Sequence, residues 1–280
     1  MVTPSTASRP IKALGQHFLT DPALAQAIVE DAGVDSKDVV LEIGPGRGAL
    51  TAPLCDSANA VIAVEIDKNL AHALPEVVDS DRLSVITADA LKTSWSDLAE
   101  DAGSDQMVLV SNLPYVITAP TIGRLIDNRV LIPRATVMIQ REVADRMGSG
   151  PGSRTYGVFS VMLGALADVR VGRLVRPGAF IPPPKVDSRL LHIKFATATT
   201  AEVPALWVVV KAAFSQRRKT LHNAWPAGLG CPLEMVTSAA KKADVDLTDR
   251  AERVAPDQYI AMTAALRSGG WVPPGESGGR

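Results

Sequence analysis

Residues 39–51 most restrict the fold, because a run typical of a buried strand leads directly into closely spaced glycines and then into helix-forming residues. Residues 39–43 are apolar and mostly β-branched apart from Glu42, which is typical of a parallel strand covered on both faces. A backbone without Cβ atoms can turn sharply and let a ligand lie against it, and the residues that allow this are Gly44, Gly46 and Gly48. The segment predicts a nucleotide-binding turn, but the same spacing also fits the dinucleotide fingerprint G-x-G-x-x-G/A.

Strand and helix patterns alternate after this turn at the spacing of βαβ units. The later predicted strands are residues 60–66, 83–87, 107–110, 135–139, 168–174 and 189–195, and the predicted helices are 69–78, 118–127 and 156–167. A further helix is predicted to start at Pro22, with Asp21 as its cap, and to end at Gly33. This order predicts an open parallel sheet whose ligand sites lie beyond the carboxyl ends of its strands.

Strand patterns stop at residues 197–200, and amphipathic helices are predicted at 203–225, 233–243 and 257–268. The chain is therefore expected to contain an α/β sheet domain and a small all-α domain. The predicted organisation is a flexible arm at 1–13, the sheet domain at 14–196, the helical domain at 197–268 and a disordered tail at 269–280.

Composition excludes several protein classes. The 280 residues are 46% hydrophobic, which is enough for a sizeable core, and no segment has the pattern of a signal peptide or a membrane span. The two cysteines, Cys55 and Cys231, are far apart and suggest neither a disulfide framework nor a metal site, which fits the cytoplasm. Residues 21–139 carry 8 basic and 18 acidic side chains, whereas the remainder carries 21 basic and 12 acidic ones. This asymmetry favours a polyanionic partner for the later part, although two ordinary solvated surfaces would also explain it.

Acidic residues follow two successive predicted strands. Glu65 lies 21 residues after Gly44, the position from which a carboxylate accepts hydrogen bonds from ribose hydroxyls in nucleoside-binding sheets. Asp89 follows the next strand and could accept from the exocyclic amine of an adenine, because an ionised carboxylate is only an acceptor. Either residue alone could simply cap a helix, but two at successive strand ends favour a nucleoside site.

The sharpest chemical signal is the tetrapeptide Asn112-Leu113-Pro114-Tyr115, which follows the fourth predicted strand. An aromatic amine is a poor nucleophile because its lone pair is delocalised into the ring. The Asn112 amide oxygen and a neighbouring backbone carbonyl could each accept one amine hydrogen, which would free that lone pair. Tyr115 could stack on the base and hold it in line with an electrophile. The alternative is a simple turn, since these residues are common in turns.

Together these residues resemble the class I S-adenosylmethionine-dependent methyltransferases. The narrower resemblance is to the bacterial small-subunit (16S) ribosomal RNA adenine dimethyltransferases, the kasugamycin-sensitivity family. It extends from about residue 14 to residue 260 and is carried by Leu14-Gly15-Gln16-His17-Phe18-Leu19, Gln140-Arg141-Glu142-Val143-Ala144, Phe180-Ile181-Pro182-Pro183-Pro184-Lys185-Val186-Asp187-Ser188 and Phe214-Ser215-Gln216-Arg217-Arg218-Lys219-Thr220-Leu221. The resemblance implies a Rossmann-like, seven-stranded methyltransferase sheet followed by the small helical domain.

The resemblance also implies roles for individual residues. Contacts with the methyl donor would be made by His17, Leu19, Gly44, Gly46, Glu65, Asp89 and Asn112. The family often has Asn where this chain has His17, so a backbone contact at Leu19 is the firmer expectation. Residues Asn112, Leu113, Pro114 and Tyr115 would hold the target adenine, with Phe180 as a second aromatic wall. The implied product is two adjacent adenines, each dimethylated on N6, in a hairpin loop near the 3′ end of 16S rRNA.

The resemblance further implies a surface that binds RNA phosphates, formed by Arg141, Lys185, Arg217, Arg218 and Lys219, with Arg173 and Arg176 nearby. The expected partner is 16S rRNA within an immature 30S subunit, met by a monomer in the cytoplasm. S-adenosylhomocysteine would be the by-product, and neither a metal nor a membrane is implied.

Three alternatives stay open at this point. One is the related macrolide-resistance methyltransferase that acts on large-subunit RNA, against which the segment 180–188 argues. Another is a non-enzymatic RNA-binding or transcription-accessory protein that has kept the fold. The last is a nicotinamide-dependent dehydrogenase, in which residues 112–115 would have no evident use.

Overall fold

A computed structural model describes residues 16–197, 201–216, 218–274 and 276. The predicted arm at 1–13 lies outside the described residues. The chain divides into two compact units: residues 1–144 with 170–194, and residues 145–169 with 195–280.

The first unit contains a seven-stranded sheet, as predicted. In chain order its strands are β2 (Val39–Ile43), β3 (Ala60–Glu65), β4 (Leu83–Thr87), β5 (Val108–Asn112), β6 (Arg134–Gln140), β7 (Ala167–Val175) and β9 (Ser188–Phe195). Their order across the sheet is β4-β3-β2-β5-β6-β9-β7. Strands β2 to β6 pair in parallel, whereas β9 runs antiparallel to β6. Because β2 is the middle one of the five parallel strands and is buried throughout, the glycine turn that follows it emerges in the middle of their carboxyl edge.

Helices connect the strands of this unit, and three of them lie where helices were predicted, at 22–33, 69–78 and 118–127. The helices are α1 (Pro22–Ala32), α2 (Thr51–Ser57), α3 (Lys68–Val77), α4 (Trp95–Asp101), α5 (Thr118–Asp127) and α6 (Arg141–Met147). Asp21 caps α1 by accepting from the backbone N–H groups of Ala23 and Leu24, and Gly33 ends it in the left-handed conformation. The connections therefore keep all the parallel strand ends on one edge.

A short second sheet joins two segments that are distant in sequence. Strand β1 (Phe18–Leu19) pairs antiparallel with β8 (Phe180–Ile181), so that Phe18 lies opposite Ile181 and Leu19 opposite Phe180. Two-residue strands carry no periodic pattern, and neither strand was predicted. The pairing places the N-terminal motif and the proline-rich segment side by side.

The second unit is dominated by helices, namely α7 (Val158–Leu166), α8 (Val203–Phe214), α9 (Leu221–Leu229), α10 (Leu233–Lys242) and α11 (Pro256–Ser268). The prediction of a single helix at residues 203–225 is wrong, because α8, a turn and the first part of α9 occupy this range. The first N–H groups of α9, at Leu221 and His222, donate to the carbonyls of Asp249 and Leu247. A tertiary contact thus replaces the hydrogen bonds that a continuous helix would have made.

Two boundaries also differ from those predicted. Residues 145–169 belong to the second unit, where α7 packs against α8 and α11, rather than to the sheet domain. The tail predicted to be disordered from Gly269 begins with ordered residues, because the Trp271 side chain is buried and its indole N–H donates to the Leu229 carbonyl at 3.1 Å. Within the part of the chain that the structure describes, no helix combines the length and the apolar character needed to cross a membrane.

Candidate active site

A cavity opens at the carboxyl ends of β2, β3 and β5, with an empty space of about 1000 Å³ including its open mouth. All seven residues predicted to contact a donor line it, namely His17, Leu19, Gly44, Gly46, Glu65, Asp89 and Asn112, and so do Leu113, Pro114 and Tyr115. The structure therefore brings together ten of the eleven predicted catalytic and donor-binding residues.

The glycine turn forms one wall of the cavity and leaves no room for side chains. Gly44, Gly46 and Gly48 have φ angles of +69°, +60° and +80°, which other residues rarely adopt. A Cβ atom on Gly44 would lie 3.3 Å from the Pro114 side chain, and one on Gly46 would lie 2.9 Å from Phe18 Cδ1. The bare backbone of the turn therefore packs directly against the residues that complete the cavity.

Glu65, the last residue of β3, holds the glycine turn through its carboxylate. Its Oε2 atom accepts from the Gly46 N–H at 3.1 Å, and its Oε1 atom accepts from the Asp67 N–H at 3.0 Å. Burial raises the pKa of Glu65, while these two backbone donors oppose that shift. A carboxylate has about four acceptor sites, so this one can also accept from a ligand.

Asp89 holds a local turn and also lines the cavity. Its Oδ1 atom accepts from the Leu91 N–H at 3.0 Å, and its Oδ2 atom lies 3.7 Å from Lys92 Nζ. The same side chain lines the cavity beyond β4. Capping a local turn and facing the cavity are therefore compatible at this position.

Asn112 is the last residue of β5, and its amide is fixed by a backbone carbonyl. Its Nδ2 atom donates to the His17 carbonyl at 3.1 Å. The preceding residue, Ser111, donates to the Ile43 carbonyl at 2.5 Å and ties β5 to β2. Because Nδ2 donates its hydrogen bond to His17, the Asn112 Oδ1 atom is the amide atom that can accept a hydrogen bond from a ligand.

Tyr115 is held at both ends of its side chain. The phenol oxygen lies 2.7 Å from Ser188 Oγ, and the ring centroid lies 5.6 Å from that of His17. Burial raises the pKa of Tyr115, and the hydrogen bond with Ser188 only partly offsets this. The phenol therefore stays protonated near neutral pH, and the ring is the part that can act on a planar ligand.

The N-terminal motif reaches the cavity through β1. The His17 Nδ1 atom is 2.7 Å from the Pro182 carbonyl in the proline-rich segment, so the His17 ring already has a hydrogen-bond partner within the protein. Phe180 is the exception among the predicted site residues, since it is only 2% exposed and does not line the cavity. It packs instead in the hydrophobic core with Leu19, its partner across the β1–β8 pair. An aromatic wall formed by Phe180 thus stays a prediction.

Glu42 lines the cavity but was not among the predicted site residues. Its side chain is 2% exposed, and its Oε2 atom has no hydrogen-bond partner among the described residues. The sequence did contain a signal, because Glu42 is the one charged residue inside an otherwise apolar strand.

The predicted RNA-binding residues occupy two places, one in each unit. In the first unit Lys185 is exposed, and Arg141 Nη1 and Arg176 Nη1 lie 3.3 and 3.0 Å from the shared Asp187 Oδ2 atom. In the second unit Arg218 and Lys219 are exposed in the turn between α8 and α9. They are therefore not on the continuous helix that was predicted to carry them, and Arg217 lies outside the described residues.

Comparison with known proteins gives one consistent result. Residues 8–267 match the family model for ribosomal RNA adenine dimethylase. Among curated relatives, the ribosomal RNA small subunit methyltransferase A of Lachnoclostridium phytofermentans is 38% identical over 259 residues, which cover 90% of this chain and 89% of the relative. The protein of the same name from Desulforapulum autotrophicum is 36% identical over 261 residues, with coverages of 92% and 92%.

Solved structures agree with these relatives. A dimethyladenosine transferase from Plasmodium falciparum superposes with a TM-score of 0.79 at 25% identity, covering 91% of this chain and 99% of that one. The 23S rRNA methyltransferase ErmE superposes with a TM-score of 0.69 at 26% identity, covering 89% and 99%.

Proposed function

Because the chain belongs to the ribosomal RNA adenine dimethylase family, we propose that it dimethylates N6 of two adjacent adenines in a 3′-terminal hairpin loop of 16S rRNA. S-adenosylmethionine is the methyl donor that this family and fold imply. We place the reaction late in assembly, on an immature 30S subunit, with a monomeric enzyme acting in the cytoplasm. The observation that carries the proposal is the Asn112 amide, which His17 holds at the point where the glycine-lined cavity meets Tyr115.

The cavity fits the donor by charge and by shape. Among the described residues that line it, three carry carboxyl groups (Glu42, Glu65 and Asp89) and one is a guanidinium, Arg47. Burial raises the pKa of Glu42 to about 8, so its carboxyl adds little negative charge at neutral pH. S-adenosylmethionine carries a sulfonium and an α-ammonium group against a single carboxylate, so an acidic cavity favours it. In this proposal Glu65 accepts from the ribose hydroxyls and Asp89 from the adenine amine. The bound donor supplies an electrophilic methyl group.

Two acceptors would hold the target amine. Asn112 Oδ1 is the first, since the opposite side of that amide is bonded to His17. For the second, the Pro114 carbonyl already accepts from the Ile117 N–H at 3.1 Å, which favours the Leu113 carbonyl. Two acceptors would draw the amine nitrogen toward tetrahedral geometry and expose its lone pair. Methyl transfer would then depend on positioning, without a general base of shifted pKa.

The proposed reaction is tested with immature 30S particles from cells that lack the enzyme. The particles are methylated by the purified protein, and the modified nucleotides are then mapped. We expect two neighbouring N6,N6-dimethyladenosines near the 3′ end of 16S rRNA. Modification of 23S rRNA instead would favour the activity named for the structural neighbour ErmE. Calorimetry with S-adenosylmethionine distinguishes an enzyme from a non-enzymatic RNA-binding protein. Absence of S-adenosylmethionine binding would favour the non-enzymatic protein.

Tyr115→Phe is expected to lower methyl transfer modestly, because it removes the hydrogen bond to Ser188 and keeps the ring. A neutral hydrogen bond contributes about 1 kcal/mol, which corresponds to roughly a fivefold change. Tyr115→Ala should cost far more, since it removes the stacking surface. Steady-state kcat and KM on 30S particles provide the measurement. Equal losses for the two variants would show that the hydroxyl, rather than the ring, holds the base.

The double variant Arg218→Ala, Lys219→Ala should weaken RNA binding and reduce its salt dependence. The slope of log K against log salt should fall by about 2 in magnitude, because each lost phosphate contact removes about one. Lys241→Ala, Lys242→Ala is a matched control, since it removes the same charge from the exposed end of α10. Equal effects of the two pairs would contradict a defined phosphate site at 218–219. Deletion after Thr197 is a poorer test, because it removes α8 and α11, against which α7 packs.

A further inference from the structure

Asp187 is an acid that holds two arginines, Arg141 and Arg176, beside the carboxyl end of β6. Its Oδ2 atom lies 3.3 Å from Arg141 Nη1 and 3.0 Å from Arg176 Nη1. Its backbone carbonyl also accepts from the Arg141 N–H at 2.9 Å. Asp187 thus connects three places in the chain: the start of α6, the residue after β7 and the residue before β9.

The two arginines face solvent, whereas the acid between them is largely covered. The side chains of Arg141 and Arg176 are 54% and 73% exposed, and that of Asp187 is 16% exposed. Two guanidinium groups against one carboxylate leave an excess of positive charge, and Lys185, exposed two residues before Asp187, adds to it. Exposed ion pairs contribute little to stability, so folding alone does not account for this arrangement.

The arginine pair has the hydrogen-bond donors that a phosphate group needs. A guanidinium carries five N–H donors in a planar fork, and Asp187 engages only the Nη1 nitrogen of each, which leaves donors for an anion. Because both Nη1 atoms lie against one carboxylate oxygen, the two guanidinium groups are close enough for a single phosphate to accept from both. Without the carboxylate, two like charges at this distance would repel each other and separate.

The arginine pair also lies beside the residues proposed to hold the target adenine. Arg141 directly follows β6, the parallel neighbour of β5, and Asn112 is the last residue of β5. Ser188, the residue after Asp187, has its Oγ atom 2.7 Å from the Tyr115 hydroxyl. Consecutive Cα atoms are about 3.8 Å apart, so the acid that orders the arginines is joined directly to the residue that holds the Tyr115 ring. A nucleotide offers a group to each of these places, a phosphate and the base attached to it.

We propose that Arg141 and Arg176 bind one phosphate of the RNA backbone next to the target adenosine, and that Asp187 is the positioning residue that sets where this phosphate lies relative to Tyr115. The arginines supply the attraction, and Asp187 fixes its place. The bound nucleotide is thereby held at two points, its base at Tyr115 and its phosphate at the arginine pair. This inference rests on the proposed function, in which RNA is the substrate.

Asp187→Asn separates positioning from attraction. It keeps the size of the side chain and an acceptor oxygen, removes the charge that both arginines share, and leaves the arginines in place. Because the attraction for phosphate is kept, the KM for immature 30S particles should rise little or not at all. The kcat for methyl transfer should fall by about tenfold or more, because a small misplacement of the reacting group is costly. The kcat is expressed per folded molecule, with the folded fraction measured by circular dichroism.

Asp31→Asn is the matched control, since Asp31 pairs with Arg173 at 3.0 Å in the same unit and does not line the cavity. It removes the same charge and should leave kcat and KM unchanged. A wild-type kcat for Asp187→Asn, a loss confined to KM, or an equal loss of kcat in Asp31→Asn would each overturn the inference. Failure of the wild type to methylate the particles would contradict the proposed function instead.

The salt dependence of RNA binding tests whether the arginine pair holds one phosphate. The double variant Arg141→Ala, Arg176→Ala should reduce the slope of log K against log salt by about 1 in magnitude, the amount lost with one phosphate contact. Asp187→Asn should not reduce the slope, because both arginines are still present. A fall of about 2 in the double variant would mean two separate phosphates, and an unchanged slope would mean none. Either result, or an equal fall in Asp187→Asn, would overturn the inference.

Discussion

Asn112→Ala is expected to lower kcat for methyl transfer by about 10²–10³, the range found when one group that stabilises developing charge is removed from an active site. The variant loses the Oδ1 acceptor for the amine hydrogen and also the hydrogen bond from Nδ2 to the His17 carbonyl. The rate should be measured in single-turnover reactions on immature 30S particles, so that chemistry is separated from product release.

Asn112→Asp is the comparison variant, because it keeps an acceptor oxygen but replaces the N–H group that donates to His17 by a second, negatively charged acceptor. It should bind the adenine less well than the wild type but retain more activity than Asn112→Ala. Calorimetric titration of both variants with S-adenosylmethionine shows whether the loss of activity arises from weaker binding of the methyl donor. Undiminished methyl transfer by Asn112→Ala would exclude the role proposed for this amide.

Gly46→Ala is expected to weaken donor binding by about tenfold to a hundredfold and to destabilise the folded protein by about 2–5 kcal/mol. A left-handed conformation costs a residue with a Cβ about 1–2 kcal/mol, and crowding in a packed site costs about 1–3 kcal/mol. Both apply here, since Gly46 has a φ of +60° and its added Cβ would lie 2.9 Å from the Phe18 ring. Donor calorimetry and urea unfolding measure the two effects.

Gly33→Ala separates these two causes. Gly33 has the same φ of +60°, but an added Cβ there meets no atom within 4 Å. It should therefore show the conformational cost alone and leave donor binding unchanged. If Gly33→Ala and Gly46→Ala destabilise the protein equally, the close approach of Phe18 to the glycine turn has no energetic consequence.

The sheet was predictable because its strands are long and strongly patterned. Residues 39–43 and 118–127 were predicted with the bounds that the structure shows, as β2 and α5. The same regularity placed Glu65, Asp89 and Asn112 at strand ends, and the ends of neighbouring parallel strands meet at one edge. Their convergence on one cavity thus followed from local pattern and topology together.

Contacts between distant segments could not be predicted in this way. The β1–β8 pair joins residues about 160 positions apart through two-residue strands, which carry no period. The break between α8 and α9 depends on backbone carbonyls near residue 249, and the burial of Trp271 depends on a partner at Leu229. Glu42 was overlooked because the burial that makes its protonation unusual is a property of the fold.

In the proposed function, the hydrogen bond from Asn112 to the His17 carbonyl would connect two binding events that the chemistry requires to be simultaneous. His17 and Leu19, just before and in β1, line the same cavity as Asn112, which is proposed to hold the target adenine. If the methyl donor favours one position of this segment, the hydrogen bond would transmit that preference to the adenine, and linkage would make the effect mutual. The affinity for RNA should therefore depend on donor occupancy by the same factor as the affinity for donor depends on RNA.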